Sequence, residues 1–281
     1  MQGDLKYYML ATNLLNYRPW VSGRELPYTA LAVLWFLVCA YIVCLANSYM
    51  DINNPSVAKK GADFYRLPDI LIDLAFPTYK KWELPDTLPD TLVQVSTVFI
   101  FIRVLLGGQK AMLLLRRVLY TCGIVYLVRA PFIIMTVLPN PLEWCMSEPN
   151  PNHFYDALLL MAQVRYSCGD VLYSGHTIIF MICCLVWHDY SLFNNAMDHL
   201  IKAIAIMWGL FCLLILVISS YHYTVDVVVA LLIVLFTWKA FYCLATTNIF
   251  DDTLASRIVL FFDQERYTYS CKHPTHNIFP A

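Results

Sequence analysis

The sequence predicts an all-α, polytopic integral membrane protein with six transmembrane helices and both termini in the cytoplasm. Three observations lead there. The 281 residues are 59% apolar and only 14% charged, against about 45–50% and about 25% in soluble globular domains. Mean hydropathy is +0.58, and apolar runs long enough to span a bilayer recur along the chain. The basic residues are unevenly shared between the loops that those runs define. A soluble domain of this length would bury roughly three quarters of its surface and would still need more charge to cover the remainder.

Other classes fall away. A formal net charge of −1, from 19 Lys+Arg against 20 Asp+Glu, lacks the basic excess of a nucleic-acid binder. With 9 glycines and 14 prolines, nothing is collagenous or low-complexity. Ten cysteines raise a disulfide framework, but Cys39, Cys44, Cys122, Cys183, Cys184, Cys212 and Cys243 lie in apolar runs, where thiols act as small hydrophobes.

The first span is read at Tyr28–Ala46, after a leader too long and too acidic in places for a simple signal peptide. The second runs from Thr91 to Leu106 and holds Arg103 near its end. The third, Val118–Leu138, follows Arg116–Arg117 and contains Arg129. Val171–Trp187, Leu200–Ser219 and Thr224–Ala245 complete the six. The terminal side then carries Lys6, Arg18, Arg24, Lys110, Arg116, Arg117, Lys202, Lys239, Arg257, Arg266 and Lys272. The opposite side has only Lys59, Lys60, Arg66, Lys80, Lys81 and Arg165. Positive charge stays inside, so both termini are assigned to the cytoplasm. The chain divides into a cytoplasmic N-terminal segment (1–27), a membrane catalytic domain (28–245) and a cytoplasmic tail (246–281).

Two polar clusters have no role as membrane anchors. One is Cys168-Gly169-Asp170-Val171-Leu172-Tyr173-Ser174-Gly175-His176-Thr177, and the other is Tyr221-His222-Tyr223-Thr224-Val225-Asp226. The topology, built without them, brings both to the non-cytoplasmic face. His222 and Asp226 are four residues apart, as stacked residues on a helix face would be. A carboxylate so placed fixes one imidazole nitrogen and leaves the other as nucleophile. His176 comes from a different helix, behind a serine and a glycine whose backbone N–H groups suit an anion. Two histidines and an anion cradle make a phosphoryl-transfer site, working through a phosphohistidine. Zinc held by His176, His222 and Asp226 is the competing use of the same side chains, and polar residues capping helix ends is the plain one. Against the latter, ionisable groups at membrane depth are costly and usually functional.

These clusters resemble the paired signatures CGDxxxSGHT and HYTxDVxxA of the sphingomyelin synthases and related sphingolipid synthases, relatives of the lipid phosphate phosphatases. The resemblance extends to Leu67-Pro68-Asp69 with Asp73, to Arg116-Arg117 followed by Tyr126-Leu127-Val128-Arg129, and to Leu138-Pro139 and Cys145. It implies a six-helix bundle of the lipid phosphate phosphatase type, without metal or cofactor. It further implies transfer of a phospho-head group from a glycerophospholipid to the primary hydroxyl of ceramide, with release of diacylglycerol. His222 would be the nucleophile, Asp226 its orienting partner and His176 the acid and then the base. Backbone N–H groups at Ser174 and Gly175, with Arg129, would meet the phosphate charge. The phosphatases typically carry an arginine shortly before the nucleophilic histidine. Leu213–Tyr221 has none, so Arg129, Arg116 and Arg165 are the candidates, with Arg129 best placed by topology.

Tyr166, Tyr173, Tyr221 and Tyr223 would suit a choline, whereas Asp69 or Asp170 would suit an ethanolamine. Either is expected over inositol. Asp170 is read as a head-group ligand or a helix cap. Asp69 and Asp73 would organise a short interfacial helix. Cys145 and Cys168 face the oxidising side and could pair, and Asp251–Ala281 is either an amphipathic surface helix or a disordered tail. The resemblance points to the Golgi or plasma membrane, with a lumenal or extracellular site and room for homo-oligomers. A phosphatase using water, and a non-catalytic scaffold or transporter, are the rival functions.

Overall fold

The computed structural model describes residues 25–53, 65–136, 138–142, 145, 148–169, 171–190, 192–193, 196–246 and 253–263. Every regular element in them is helical: α1 (Leu26–Asn53), α2 (Ile70–Lys81), α3 (Leu88–Leu105), α4 (Ala111–Met135), α5 (His153–Met161), α6 (Gly175–Asp189), α7 (Ala196–Ile218), α8 (Thr224–Thr246) and α9 (Leu254–Asp263), with a 3-10 turn at Gly108–Lys110. Five of them, α1, α3, α4, α7 and α8, are long and apolar enough to cross a membrane. In hydrocarbon, backbone polar groups must be satisfied within the chain, which helices do by themselves.

The fourth apolar run behaves differently from its reading as a span beginning at Val171. Helix starts only at Gly175, because Ser174 caps it: the serine is extended and its Oγ accepts the Thr177 N–H at 3.2 Å. The resulting α6 has 15 residues. It packs against α3, α4, α7 and α8, and Ile178, Phe180, Ile182 and Val186 are completely buried. A helix enclosed in this way can be apolar all round. Around it the long helices alternate in direction. The start of α3, the end of α4, the starts of α6 and α8 and the end of α7 therefore gather at one end of the bundle.

Arg116 and Arg117, expected just ahead of the third span, lie inside α4. Burial of Arg116 is tolerated because it is ion-paired with Glu25 and its Nε donates to the Phe262 carbonyl at 2.9 Å. That links α4 to α1 and α9 at the end away from the histidines. Helix α9 lies in the segment read as amphipathic or disordered, buries Val259 and Phe262, and packs on α1, α4 and α8; 264–281 fall outside the described residues. The short helix expected around Asp69 and Asp73 is α2, with Asp69 as its N-cap accepting from Leu71 and Ile72 N–H.

Helix α1 lies along α4 with Gly123 at the crossing. The Trp35 indole covers that glycine and donates to the Tyr120 carbonyl at 3.3 Å. A methyl group at Gly123 would fall 2.3 Å from Trp35 Nε1, so Gly123→Ala forces the indole off this seat. The expected cost is about 1–3 kcal/mol, read as a lower thermal midpoint in detergent. An unchanged midpoint would show that the α1–α4 contact is not tightly packed.

Candidate active site

The two signature histidines meet at the common end of the bundle. Their ring centroids are 5.5 Å apart. A backbone bond draws their elements together, the Ser174 N–H donating to the Asp226 carbonyl at 3.4 Å. His176 sits in the first turn of α6. His222 does not share a helix face with Asp226, contrary to the four-residue spacing. Helix α7 ends at Ile218, Ser220 turns left-handed at φ 57°, and α8 begins only at Thr224. A left-handed residue past a helix end is a common stop, and it leaves His222 in the connecting turn.

Asp226 still faces His222. Its Oδ2 accepts the Tyr223 N–H at 3.0 Å, the reach-back half of a capping box, and lies 3.6 Å from His222 Nδ1. That distance is too long for a hydrogen bond. His222 Nδ1 and Asp226 Oδ1 have no hydrogen-bond partner, and both residues are buried. Catalytic hydrogen bonds are often loose before substrate binds. Burial foremost, then the charges of His176 and Arg129, hold the His222 imidazole well below the ordinary histidine pKa.

Arg129 comes from the last turns of α4 and is buried beneath the start of α6. Its Nε donates to the Tyr173 carbonyl at 2.5 Å. A Cβ on Gly175 would stand 2.9 Å from Nη1, so the absence of a side chain there lets the guanidinium lie against the turn. The other two candidate arginines are elsewhere: Arg116 is at the far end, and Arg165 bridges Asp51 and Asp156.

One carboxylate at the site lies outside both sequence signatures. Asp90, in the first turn of α3, has Oδ1 2.9 Å from His176 Nε2. The Tyr221 hydroxyl donates to both of its oxygens, at 2.9 and 2.8 Å. Each histidine therefore has its own acid. The available signal was Leu88-Pro89-Asp90, an acid opening an apolar run at the same membrane end. Asp69 was also undervalued. It accepts from the Thr224 N–H at 2.7 Å and the Thr224 hydroxyl at 2.8 Å, pinning α2 to the start of α8. Burial works to raise its pKa, but these bonds and those from Ile72 and Leu71 N–H hold it below the usual range.

The remaining candidates have plain positions. Tyr173 is completely buried, edge-on to Phe132. Tyr223 is buried too, its hydroxyl accepting from Leu67 N–H and donating to the Pro139 carbonyl. The side chain of Ser174 is taken up by its cap. Asp170 lies outside the described residues. Cys145 and Cys168 are disulfide-bonded, with Cα atoms 5.9 Å apart. Next to the bridge, Asp51 Oδ1 accepts from Ser167 Oγ and from the Cys168 and Gly169 N–H groups at 2.9–3.2 Å. The strand of chain leading to α6 is thereby tied to α1. Among the described residues no group of three or more His, Cys, Asp or Glu side chains is arranged to hold a metal.

Residues 167–244 match the family model described as PAP2 superfamily C-terminal. The chain is 29% identical over 128 residues to a phosphatidylethanolamine:ceramide ethanolaminephosphotransferase of Trypanosoma brucei brucei, covering 44% of this chain and 39% of that one. It is 29% identical to phosphatidylcholine:ceramide cholinephosphotransferase 2 of Caenorhabditis elegans, over 68% of this chain and 60% of the other. To a phosphatidylinositol:ceramide inositolphosphotransferase of Oryza sativa subsp. indica it is 31% identical, over 62% and 57%. The matched stretches thus span between 39% and 60% of these relatives' lengths. These are distant but consistent matches to the ceramide phospho-head-group transferases and to the PAP2 superfamily.

Proposed function

We propose that this chain transfers phosphocholine or phosphoethanolamine from a glycerophospholipid to the primary hydroxyl of ceramide, through a phosphohistidine on His222. The observation that carries the reading is two adjoining imidazoles, each with its own carboxylate, above a buried guanidinium. In the first step His222 attacks phosphorus, a P–N bond forms, and the P–O bond to diacylglycerol breaks while His176 gives that oxygen a proton. In the second the ceramide hydroxyl attacks, its P–O bond forms, the P–N bond breaks, and His176 takes the hydroxyl proton. Asp226 orients His222, and Asp90 with Tyr221 holds His176 in place for both proton transfers. Arg129 and the Gly175 N–H at the start of α6 meet the phosphate charge, since the Ser174 N–H is given to the Asp226 carbonyl.

An amine head group is favoured over inositol because the Tyr221 ring sets an aromatic face beside His176. Asp170, Tyr173 and Tyr223 complete the proposed substrate-binding set, the two tyrosines as shaping walls. In this reading α6 is a sixth crossing. Its 15 residues rise only about 22 Å, but a helix sheathed by others need not match the bilayer. Six crossings put both termini in the cytoplasm and the site on the lumenal or extracellular face of a Golgi or plasma membrane. Residues 28–245 then form the catalytic domain.

Hydrolysis, with water replacing ceramide, is the second reading. It is favoured by the partial exposure of the His176 and Asp90 side chains, 19% and 29%. Purified protein given labelled phosphatidylcholine, phosphatidylethanolamine and phosphatidylinositol, with and without ceramide, separates the two. The account predicts a labelled sphingolipid only with ceramide, from the choline or ethanolamine donor. Release of water-soluble phospho-head group regardless of ceramide would establish hydrolysis.

Two further outcomes follow from the geometry. Asp90→Asn should lower kcat about 10²-fold or more with little change in KM, and Asp90→Glu should restore part of it. A loss confined to KM would place Asp90 in substrate binding instead. His222 attacks only when neutral. A histidine held well below about 6.5 stays neutral as pH falls through that value, so the acid limb of kcat/KM should lie below pH 6.5. A limb at or above 6.5 would show that the buried environment does not act on the nucleophile.

A further inference from the structure

The end of the bundle opposite the histidines holds a second cationic centre, which the proposed chemistry leaves unused. Arg103, in the last turn of α3, is 3% exposed. Its Nη2 donates to the Tyr190 carbonyl at 2.6 Å. Its guanidinium carbon lies 5.9 Å from the ring centroids of both Trp187 and Tyr190. Nε and Nη1 have no hydrogen-bond partner. The acid whose charge reaches it is Asp198, but that carboxylate already receives Lys202 at 2.9 Å and the Leu192 N–H at 3.2 Å. A second cation adjoins from α4: Arg117 donates to the Tyr190 hydroxyl at 3.1 Å and stacks over the Tyr190 ring.

One turn deeper into the bundle, α3, α6 and α7 leave a cavity of about 250 Å³. Phe99, Cys184, Trp187, Ile204, Ala205 and Trp208 line it, and no polar surface opens into it. Phe99 is four residues before Arg103 on the same helix, and Trp187 faces both the guanidinium and the cavity. An apolar slot between membrane helices, headed by a buried arginine with two N–H groups to give, has the chemistry of a lipid site. Basic pockets between membrane helices bind anionic lipid head groups, and a guanidinium matches a phosphate with paired N–H donors.

We propose that this is a binding site for one acidic phospholipid of the leaflet opposite the histidine site. Its phosphate is held by Arg103, and part of one acyl chain fills the cavity. Arg117 beside it supplies the charge that favours a net-negative head group over a zwitterionic one. The slot is too small and too apolar to take a head group, so the chain enters it and the phosphate stays at the arginine.

The test uses the full chain purified in neutral detergent. Phosphatidylserine, phosphatidylglycerol or phosphatidylcholine is added, or soluble glycerophosphoserine, and retained lipid is counted by native mass spectrometry beside the thermal midpoint. One copy of phosphatidylserine or phosphatidylglycerol should be retained and should raise the midpoint by several degrees. Phosphatidylcholine should bind at least tenfold more weakly, and glycerophosphoserine should have no effect. Arg103→Gln removes the positive charge and the paired guanidinium donors, and Ala205→Leu fills the cavity while leaving the arginine. Each should weaken retention at least tenfold. Unchanged retention in either variant, equal retention of phosphatidylcholine, or equal stabilisation by glycerophosphoserine would overturn the proposal. If Arg103→Gln does not fold, Ala205→Leu alone decides, because it leaves every cation in place.

Discussion

The arrangement depends on one buried charge. Arg129 sits within the last turns of α4, enclosed by protein, and its Nε is committed to the Tyr173 carbonyl. A guanidinium is effectively always protonated and is expensive to bury, so the chain around it has to supply compensation. It does so with the turn that leads into α6. That turn must come close, which is why the residue after the Ser174 cap is a glycine, and the close approach sets where His176 stands. The same positive charge adds to the burial that keeps His222 neutral. In the proposed mechanism, anion binding, placement of the acid and readiness of the nucleophile thus trace to one side chain.

The surrounding loops act as clamps on that geometry from three sides. Asp51 at the end of α1 collects the Ser167 hydroxyl and the Cys168 and Gly169 N–H groups, next to the Cys145–Cys168 bridge. Asp69 at the start of α2 collects Thr224. Asp90 at the start of α3 collects His176 and Tyr221. Each is an acid at a helix end, reaching a segment far away in sequence. Such polar contacts cost little where the helix ends leave the bilayer, and each one fixes a histidine or a segment of chain that leads to one. At the far end of the bundle Arg103 and Arg116 are buried as well, beside the acids Asp198 and Glu25.

Much of this was legible in the sequence, for identifiable reasons. Hydropathy located the membrane helices because a span needs about 20 apolar residues whatever it packs against. His176, His222 and Asp226 stood out because polar residues are scarce in such a chain. What escaped notice was long-range pairing. Asp90 acts across 86 positions and Asp51 across 118, and no local pattern records a partner so distant. Spacing also misled at His222, where four residues suggested a helix face; the left-handed turn at Ser220 was not visible in Ser219-Ser220. The start of α6 was misread for a similar reason, since hydropathy does not see a cap.

In the proposed mechanism His222 carries the phospho-head group between donor and acceptor. The most direct measurement traps it: protein incubated with head-group-labelled phospholipid and no ceramide, quenched without acid, digested and mapped by mass spectrometry. The account predicts the phospho-head group on the peptide containing His222, absent in His222→Ala and discharged when ceramide is added before the quench. A protein that turns over labelled donor under the same conditions but carries the label on another residue, or on none, would contradict it.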